Sequence, residues 1–250
     1  MNSKVRVAKT HRLTGEIVSV WVQAPKLAIK AKPGQFFGIK VNKREDLLLR
    51  RPVSVADVSG KFLRFVFKVV GKGTQELSQA KPGDEWDVLG PLGKPAPLVK
   101  NKEVIMCAGG VGAAPLLFLA RVLKEKNRVV VLLGARTSSE LILVNDFRQL
   151  KVKVNLATED GTLGEKGVVT ELAMKVIRDF KSPVVFACGP KPMLEFLMEK
   201  VENVPVWGFL EGRMGCGLGI CYCCAVKKRN DGYIRLCKEG PVVLLSEVRL

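Results

Sequence analysis

Five of the seven cysteines in this chain of 250 residues crowd into the stretch from Cys216 to Cys237. Three are spaced Cys216-x4-Cys221-x2-Cys224, and Cys237 follows after twelve intervening residues. In a reducing cytosol, thiols gathered this closely bind metal rather than pair as disulfides. The x4, x2 spacing is that of loops in which four thiolates hold a 2Fe-2S cluster. Gly215, Gly217 and Gly219 suit such a loop, because bare backbone reaches dihedrals and close approaches that side chains forbid, with amides free to face sulfur. A four-cysteine zinc site uses the same ligands but usually presents two separate C-x2-C knuckles. The spacing therefore favours an iron-sulfur site built from Cys216, Cys221, Cys224 and Cys237. It leaves Cys223, next to Cys224, as the competitor.

The rest of the chain has two textures. Residues 1–98 are short β-branched and aromatic runs, such as GQFFGIKV, RPVSVADV, FLRFVFKVV and EWDVLG, punctuated by KPG, SG and GKG. Such runs without helical periodicity indicate an antiparallel β-barrel or sandwich. Past Pro95-Ala96-Pro97 the pattern changes. EVIMCAGG, RVVVLLGAR, KVNLATEDG, PVVFACG and VPVWGFLEG read as strands, and APLLFLARVLKEK, ELILVNDFRQL, VVTELAMKVIRDF and PMLEFLMEKV as the helices between them. Alternation of this kind specifies a doubly wound parallel sheet. The expected fold class is thus β plus α/β, with a barrel domain over 1–98, a nucleotide-binding domain over 99–205 and a small cysteine domain over 206–250. In the last, KKRNDGYIRLC reads as a hairpin turning at Asn230-Asp231-Gly232.

Glycines between strand and helix, in Gly109-Gly110-Val111-Gly112-Ala113-Ala114-Pro115, let backbone approach a pyrophosphate at a helix N-terminus. Cys188-Gly189-Pro190 ends a later strand of the same sheet, where ligands of such sheets bind. In the barrel, Arg51-Pro52-Val53-Ser54 and Gly71-Lys72-Gly73-Thr74 supply an arginine, hydroxyls and a glycine turn, the groups that hold a phosphate and a ribityl chain. Arg136, at the end of the second strand of the sheet, could pair with a 2'-phosphate, whereas Glu140 and Glu159 would repel one. The single histidine, His11, reads as a surface residue, and no acid-base pair or hydrolase motif is present. The chain is equipped to hold redox cofactors rather than to activate a substrate.

The net charge of +17 raises the possibility of an anionic partner. Residues 1–98 hold most of the excess, with eighteen basic against eight acidic residues. The lysines are scattered rather than interleaved with aromatics, so nucleic acid is not the expected ligand. No apolar run is long enough to span a membrane, and the first residues lack a signal-peptide pattern, so a cytoplasmic location is expected.

Taken together, Arg51-Pro52-x-Ser54, GGVGAAP, Cys188-Gly189-Pro190 and the cluster segment EGRMGCGLGICYCC resemble the ferredoxin-reductase superfamily. More narrowly, the chain resembles the electron-transfer subunits of class 1B dihydroorotate dehydrogenases. The resemblance implies FAD on the barrel, contacted by Arg51, Pro52, Val53, Ser54, Gly73 and Thr74, with Phe67, Lys68 and Val69 alongside the isoalloxazine. It implies NAD, as electron acceptor, at Gly109, Gly110, Val111, Gly112 and Ala114, with Cys188, Gly189 and Pro190 nearby, and iron on the four cysteines. The implied partner is an FMN-containing dihydroorotate dehydrogenase catalytic subunit in a hetero-oligomer, expected as a heterotetramer. Reductase subunits of hydrogenase or sulfide-reductase complexes share these modules, which makes them the alternative. Two departures are Lys94-Pro95-Ala96-Pro97, where the family continues asparagine-glycine-phenylalanine, and Cys223 in place of a small residue.

Overall fold

The computed structural model describes residues 2–41 and 46–250. Strands β1 (Asn2–Arg12), β2 (Ile17–Gln23), β3 (Phe36–Ile39), β4 (Arg51–Ser59), β5 (Phe62–Lys68) and β6 (Glu85–Leu92) close into an antiparallel barrel in the order β1-β2-β5-β4-β3-β6. Period-two burial drives the closure: along β1, Val5 and Val7 point inward while Lys4 and Arg6 lie nearer solvent. Phe37 and Phe65 meet edge-on inside it at 5.6 Å, beside Trp86. Two short helices, α1 (Pro25–Ala28) and α2 (Lys72–Ser78), form where the sequence suggested only turns. Both are too short for a helical period to stand out.

The second half is a seven-stranded sheet. Strands β7 (Glu103–Gly109), β8 (Arg128–Ala135), β9 (Lys153–Thr158), β10 (Glu165–Lys166), β11 (Pro183–Cys188) and β12 (Val206–Phe209) are parallel, and β15 (Val242–Leu244) joins antiparallel, giving the order β10-β9-β8-β7-β11-β12-β15. Helices α3 (Ala113–Leu123) and α4 (Val144–Gln149) pack on one face, α5 (Val169–Arg178) and α6 (Lys191–Lys200) on the other. Coverage on both faces explains why β7 and β11 read as unbroken apolar runs. The sheet runs outward from β7 through β8 and β9, then resumes on the other side of β7 with β11. That reversal opens a crevice at the strands' carboxyl ends. ELILVNDFRQL is helical only from Val144, because Leu143 stands at φ 60, a left-handed backbone that no helix continues through.

The boundary expected at 205/206 falls inside this sheet, since β12 and β15 are both members of it. The cysteine segment is an excursion between these two strands, its ends tied by Leu210 N–H donating to the Pro241 carbonyl at 2.9 Å. Within it β13 (Ala225–Lys227) and β14 (Tyr233–Arg235) form the expected hairpin, turning through Gly232 at φ 83.

Among the described residues, two ion pairs join barrel and sheet. Buried Asp57 of β4 accepts from Arg121 of α3 through both carboxylate oxygens, at 2.8 and 2.5 Å. Buried Arg64 of β5 donates to Ser19 Oγ at 2.9 Å and reaches Asp146 of α4. Among the described residues, no helix is long and apolar enough to cross a membrane.

Candidate redox cofactor sites

The four expected ligands come together as two pairs. Amides of Cys221, Leu218 and Ile220 face the Cys216 sulfur, and with the Cys221 side chain they lower its pKa to about 6. The Leu218 amide lies 3.3 Å from that sulfur. Cys224 and Cys237 form the second pair. The Cys237 amide donates to Cys224 Sγ at 3.4 Å, and the Gly219 amide to Cys237 Sγ at 3.1 Å. Burial, then the neighbouring Cys224 sulfur, push the Cys237 thiol up to about 12, and Cys216 is close enough to add to the shift. Among the described residues, no three His, Cys, Asp or Glu side chains converge as ligands of a single ion would. Two thiol pairs with amides aimed at the sulfurs fit a centre with two metal atoms better than one tetrahedral zinc. Exposed Cys223 makes no hydrogen bond to this set.

The loop owes its path to backbone freedom and to one arginine. Gly219 stands at φ 79, presenting its amide to Cys237. Arg235 donates to the Gly219 carbonyl at 2.8 Å, stacks its guanidinium 5.1 Å from the Tyr222 ring and is itself held by Glu239. Arg235 did not stand out in the sequence, where it is one basic residue in a basic chain. Of the apolar residues flanking the cysteines, Met214 turns inward, while Leu218, Ile220 and Tyr222 are 52%, 75% and 56% exposed.

A cavity of about 330 Å³ opens between barrel, sheet and cysteine loop. Pro52, Val53, Ser54, Phe67, Lys68 and Thr74 line its barrel side, with Val111, Ala114 and Cys188 opposite and Glu211, Gly212 and Met214 at the loop. Its largely apolar walls fit a planar ring system, and the Ser54 and Lys68 side chains offer polar contacts. Arg51, Val69 and Gly73 lie off this lining. The Arg51 guanidinium rests over Gly73, where any side chain would collide with it, and donates to the Leu49 carbonyl. The Thr74 hydroxyl is spent within its own turn: it donates to the Gly71 carbonyl at 3.0 Å and accepts from the Val70 and Gly71 amides.

A second cavity, of about 610 Å³, lies over the crevice of the sheet. Gly109, Gly110, Val111, Gly112, Gly189 and Pro190 line it, together with Arg136, Glu140 and Glu159. A methyl group at Gly112 would overlap the Cys188 carbonyl, so glycine is what lets the loop close against β11. The two cavities share Lys68, Val111 and Glu211, which places a ligand of one against a ligand of the other. Glu211 went unnoticed in the sequence. Its only signal was a carboxylate between a strand end and the glycine loop. Burial, with Glu211 nearby, raises the Cys188 pKa and keeps that thiol protonated. Lys94-Pro95-Ala96-Pro97 runs between barrel and tail, with Lys94 N–H on the Gly240 carbonyl at 2.6 Å and buried Ala96 on the Pro33 carbonyl at 2.8 Å.

Residues 211–249 match the iron-sulfur cluster binding domain of dihydroorotate dehydrogenase B, and residues 106–199 an oxidoreductase NAD-binding domain. The chain is 43% identical over 228 residues to the "dihydroorotate dehydrogenase B (NAD(+)), electron transfer subunit" of Desulforamulus reducens, covering 88% of this chain and 87% of that one. It superposes with a TM-score of 0.90 and 35% identity on a chain of an NADH-dependent reduced ferredoxin-NADP oxidoreductase, covering 98% and 89% of the two chains. A ferredoxin NADP+ reductase from Neisseria gonorrhoeae, solved with FAD and NADP, shares the fold at a TM-score of 0.65 and 16% identity, over 79% and 89%. With its cysteine pairs, its two adjoining cavities and these relatives, the chain belongs to the family of dihydroorotate dehydrogenase B electron transfer subunits.

Proposed function

We propose that the chain is the electron-transfer subunit of a dihydroorotate dehydrogenase, linking the FMN of a catalytic partner to NAD through a 2Fe-2S cluster and FAD, in pyrimidine biosynthesis. The observation that carries this is contiguity. Gly212 and Met214 line the first cavity two to four residues before Cys216, and that cavity shares Lys68, Val111 and Glu211 with the second. When bound, the cluster supplies one-electron transfer and the flavin couples it to the hydride that nicotinamide accepts. Cys216, Cys221, Cys224 and Cys237 hold iron. Pro52, Val53, Ser54, Phe67 and Lys68 form the bed of the flavin ring, and Arg51 with the Gly73-Thr74 turn carries its phosphate side at the rim. The glycine loop with Gly189-Pro190 receives the nucleotide, whereas Ala114 and Cys188, expected beside it, face the flavin cavity instead. No residue need act as acid or base on dihydroorotate.

The partner docks on the apolar crown of Leu218, Ile220 and Tyr222 over the cysteine pairs, in a heterotetramer in the cytoplasm. Such a crown is a poor choice for a solvated loop. Co-expression with an FMN-containing dihydroorotate dehydrogenase subunit tests the whole reading. The purified complex should show flavin and iron-sulfur absorbance and reduce NAD with dihydroorotate, activity that neither chain has alone. A coloured chain that reduces with NADH but binds no such subunit would favour the alternative, a flavin and iron-sulfur reductase subunit with another partner. The 35% identity to a ferredoxin-NADP oxidoreductase chain is what keeps that alternative in view. Colourless protein would overturn both.

A further inference from the structure

We propose that Glu140, by occupying the Arg136 guanidinium and facing the adenosine ribose, makes this cavity select a nucleotide with a free 2'-hydroxyl over one with a 2'-phosphate. This rests on the reading that a nicotinamide nucleotide fills the second cavity. The residues shared with the flavin cavity fix the end for the reactive ring, and Gly109, Gly110 and Gly112 suit a pyrophosphate along the middle. What remains for the adenosine half is the wall of Arg136, Glu140 and Glu159. In doubly wound sheets the residue following the second strand reads the ribose: a carboxylate takes the 2'-hydroxyl, and an arginine accommodates a phosphate.

This chain carries both kinds of residue, and the geometry decides between them. Arg136 directs Nε to one Glu140 oxygen at 3.1 Å and a terminal nitrogen to the other at 2.6 Å, so two donors of its fork are already committed. Glu140 is held in place by its backbone. It ends the single 3-10 turn Ser138–Glu140, whose Ser138 amide donates to Thr162 Oγ1 at 2.9 Å, and Thr162 is in turn bonded to Asp160. The ends of β8 and β9 are tied by the Glu159 amide on the Ala135 carbonyl at 3.1 Å. Across the cavity Lys68 is paired with Glu16 at 2.9 Å, so it offers no free cation. A phosphate entering here would have to displace one carboxylate from Arg136 and still lie beside Glu159. A ribose diol needs only to donate to a carboxylate already in place.

The Arg136–Glu140 pair is largely exposed, and such pairs contribute little to folding. Substitution there should therefore change recognition while leaving the chain folded. The test is equilibrium titration of the cofactor-loaded protein with ADP-ribose and with 2'-phospho-ADP-ribose, which need no electron transfer, followed by steady-state reduction with NADH and NADPH. The unaltered protein should prefer ADP-ribose roughly tenfold or more. Glu140→Gln should tighten 2'-phospho-ADP-ribose roughly tenfold, the effect of one charge-assisted contact, and raise kcat/KM for NADPH in step. Arg136→Ala added to Glu140→Gln should cancel that gain. A Glu140→Gln protein with an unchanged ratio of the two affinities overturns the proposal, as does an unaltered protein that prefers the 2'-phosphate. Failure of the unaltered protein to bind either probe instead refutes the assignment of the cavity, and the selectivity argument with it.

Discussion

Cys107 and Cys224 are both buried sulfurs, and they live in opposite chemical worlds. Cys107 sits mid-strand in β7, its thiol reaching the Val169 carbonyl at 4.0 Å. Burial alone pushes its thiol up to about 12. Cys224 is equally hidden from water, but a backbone amide points at its sulfur and the Cys237 side chain lies beside it. Cys216, more open still, has its pKa lowered by the amides around it. Exposure is therefore a poor guide to which thiols become ligands. What separates the two regions is whether backbone N–H groups are free to face sulfur. In a sheet they are spent on neighbouring strands, whereas in a glycine-rich loop they are available.

The sharpest break of this comparison is a pair of serine variants. Cys224→Ser should lose the cluster entirely, while Cys223→Ser should keep its iron and visible absorbance. The opposite pattern would mean that amide geometry does not choose the ligand. Next in size is Ile220→Glu, with Leu218→Glu as its companion. A charge in the centre of a protein interface should weaken assembly with the FMN subunit about thirtyfold. NADH-driven flavin reduction, internal to this chain, should be nearly intact, and unchanged elution of the complex on size exclusion would place the interface elsewhere.

A smaller effect is expected from Gly112→Ala. Its backbone angles of −59° and −15° suit alanine, so the cost is steric only, from the methyl against the Cys188 carbonyl. Denaturant unfolding should show a loss of about 1–3 kcal/mol and nucleotide affinity should fall, while iron content is unchanged. Loss of iron as well would show that the two regions are not independent.

The smallest effect is on Cys107→Ala, which should cost about 1 kcal/mol at pH 7.5. Because the folded thiol titrates near 12 against 9.0 when exposed, its stabilisation is complete below pH 9 and is lost as pH rises from 9 towards 12. At pH 10 the natural chain has surrendered about 1.4 kcal/mol of it. The gap between variant and natural protein should therefore close, and slightly reverse, between pH 7.5 and 10, as read by unfolding at each pH, and a constant gap would refute the shift.

Much of this architecture was legible because burial leaves a periodic trace. The unbroken apolar runs of β7 and β11 and the alternation in β1 announce sheet and barrel directly. The cysteine spacing announced the metal site for a different reason, since ligand geometry is local in the chain. What escaped is what depends on distant residues meeting. Asp57 and Arg121 look like any surface charges until β4 and α3 are brought together. Met214 is as apolar as Leu218 and Ile220 in the same loop, yet it turns to the first cavity while they face outward. The membership of β15 in the sheet was equally invisible, because three residues carry too little pattern to reveal which edge they complete.

That last strand has a consequence at the sheet edge. The four cysteines proposed as ligands all precede Val242–Leu244, the strand that completes the sheet edge, by no more than twenty-six residues. Closing the cysteine loop, through the Leu210 amide on the Pro241 carbonyl, therefore delivers β15 to its place beside β12. A chain whose loop has not settled holds β15 off β12, and the edge it leaves bare is a surface on which a foreign strand can pair.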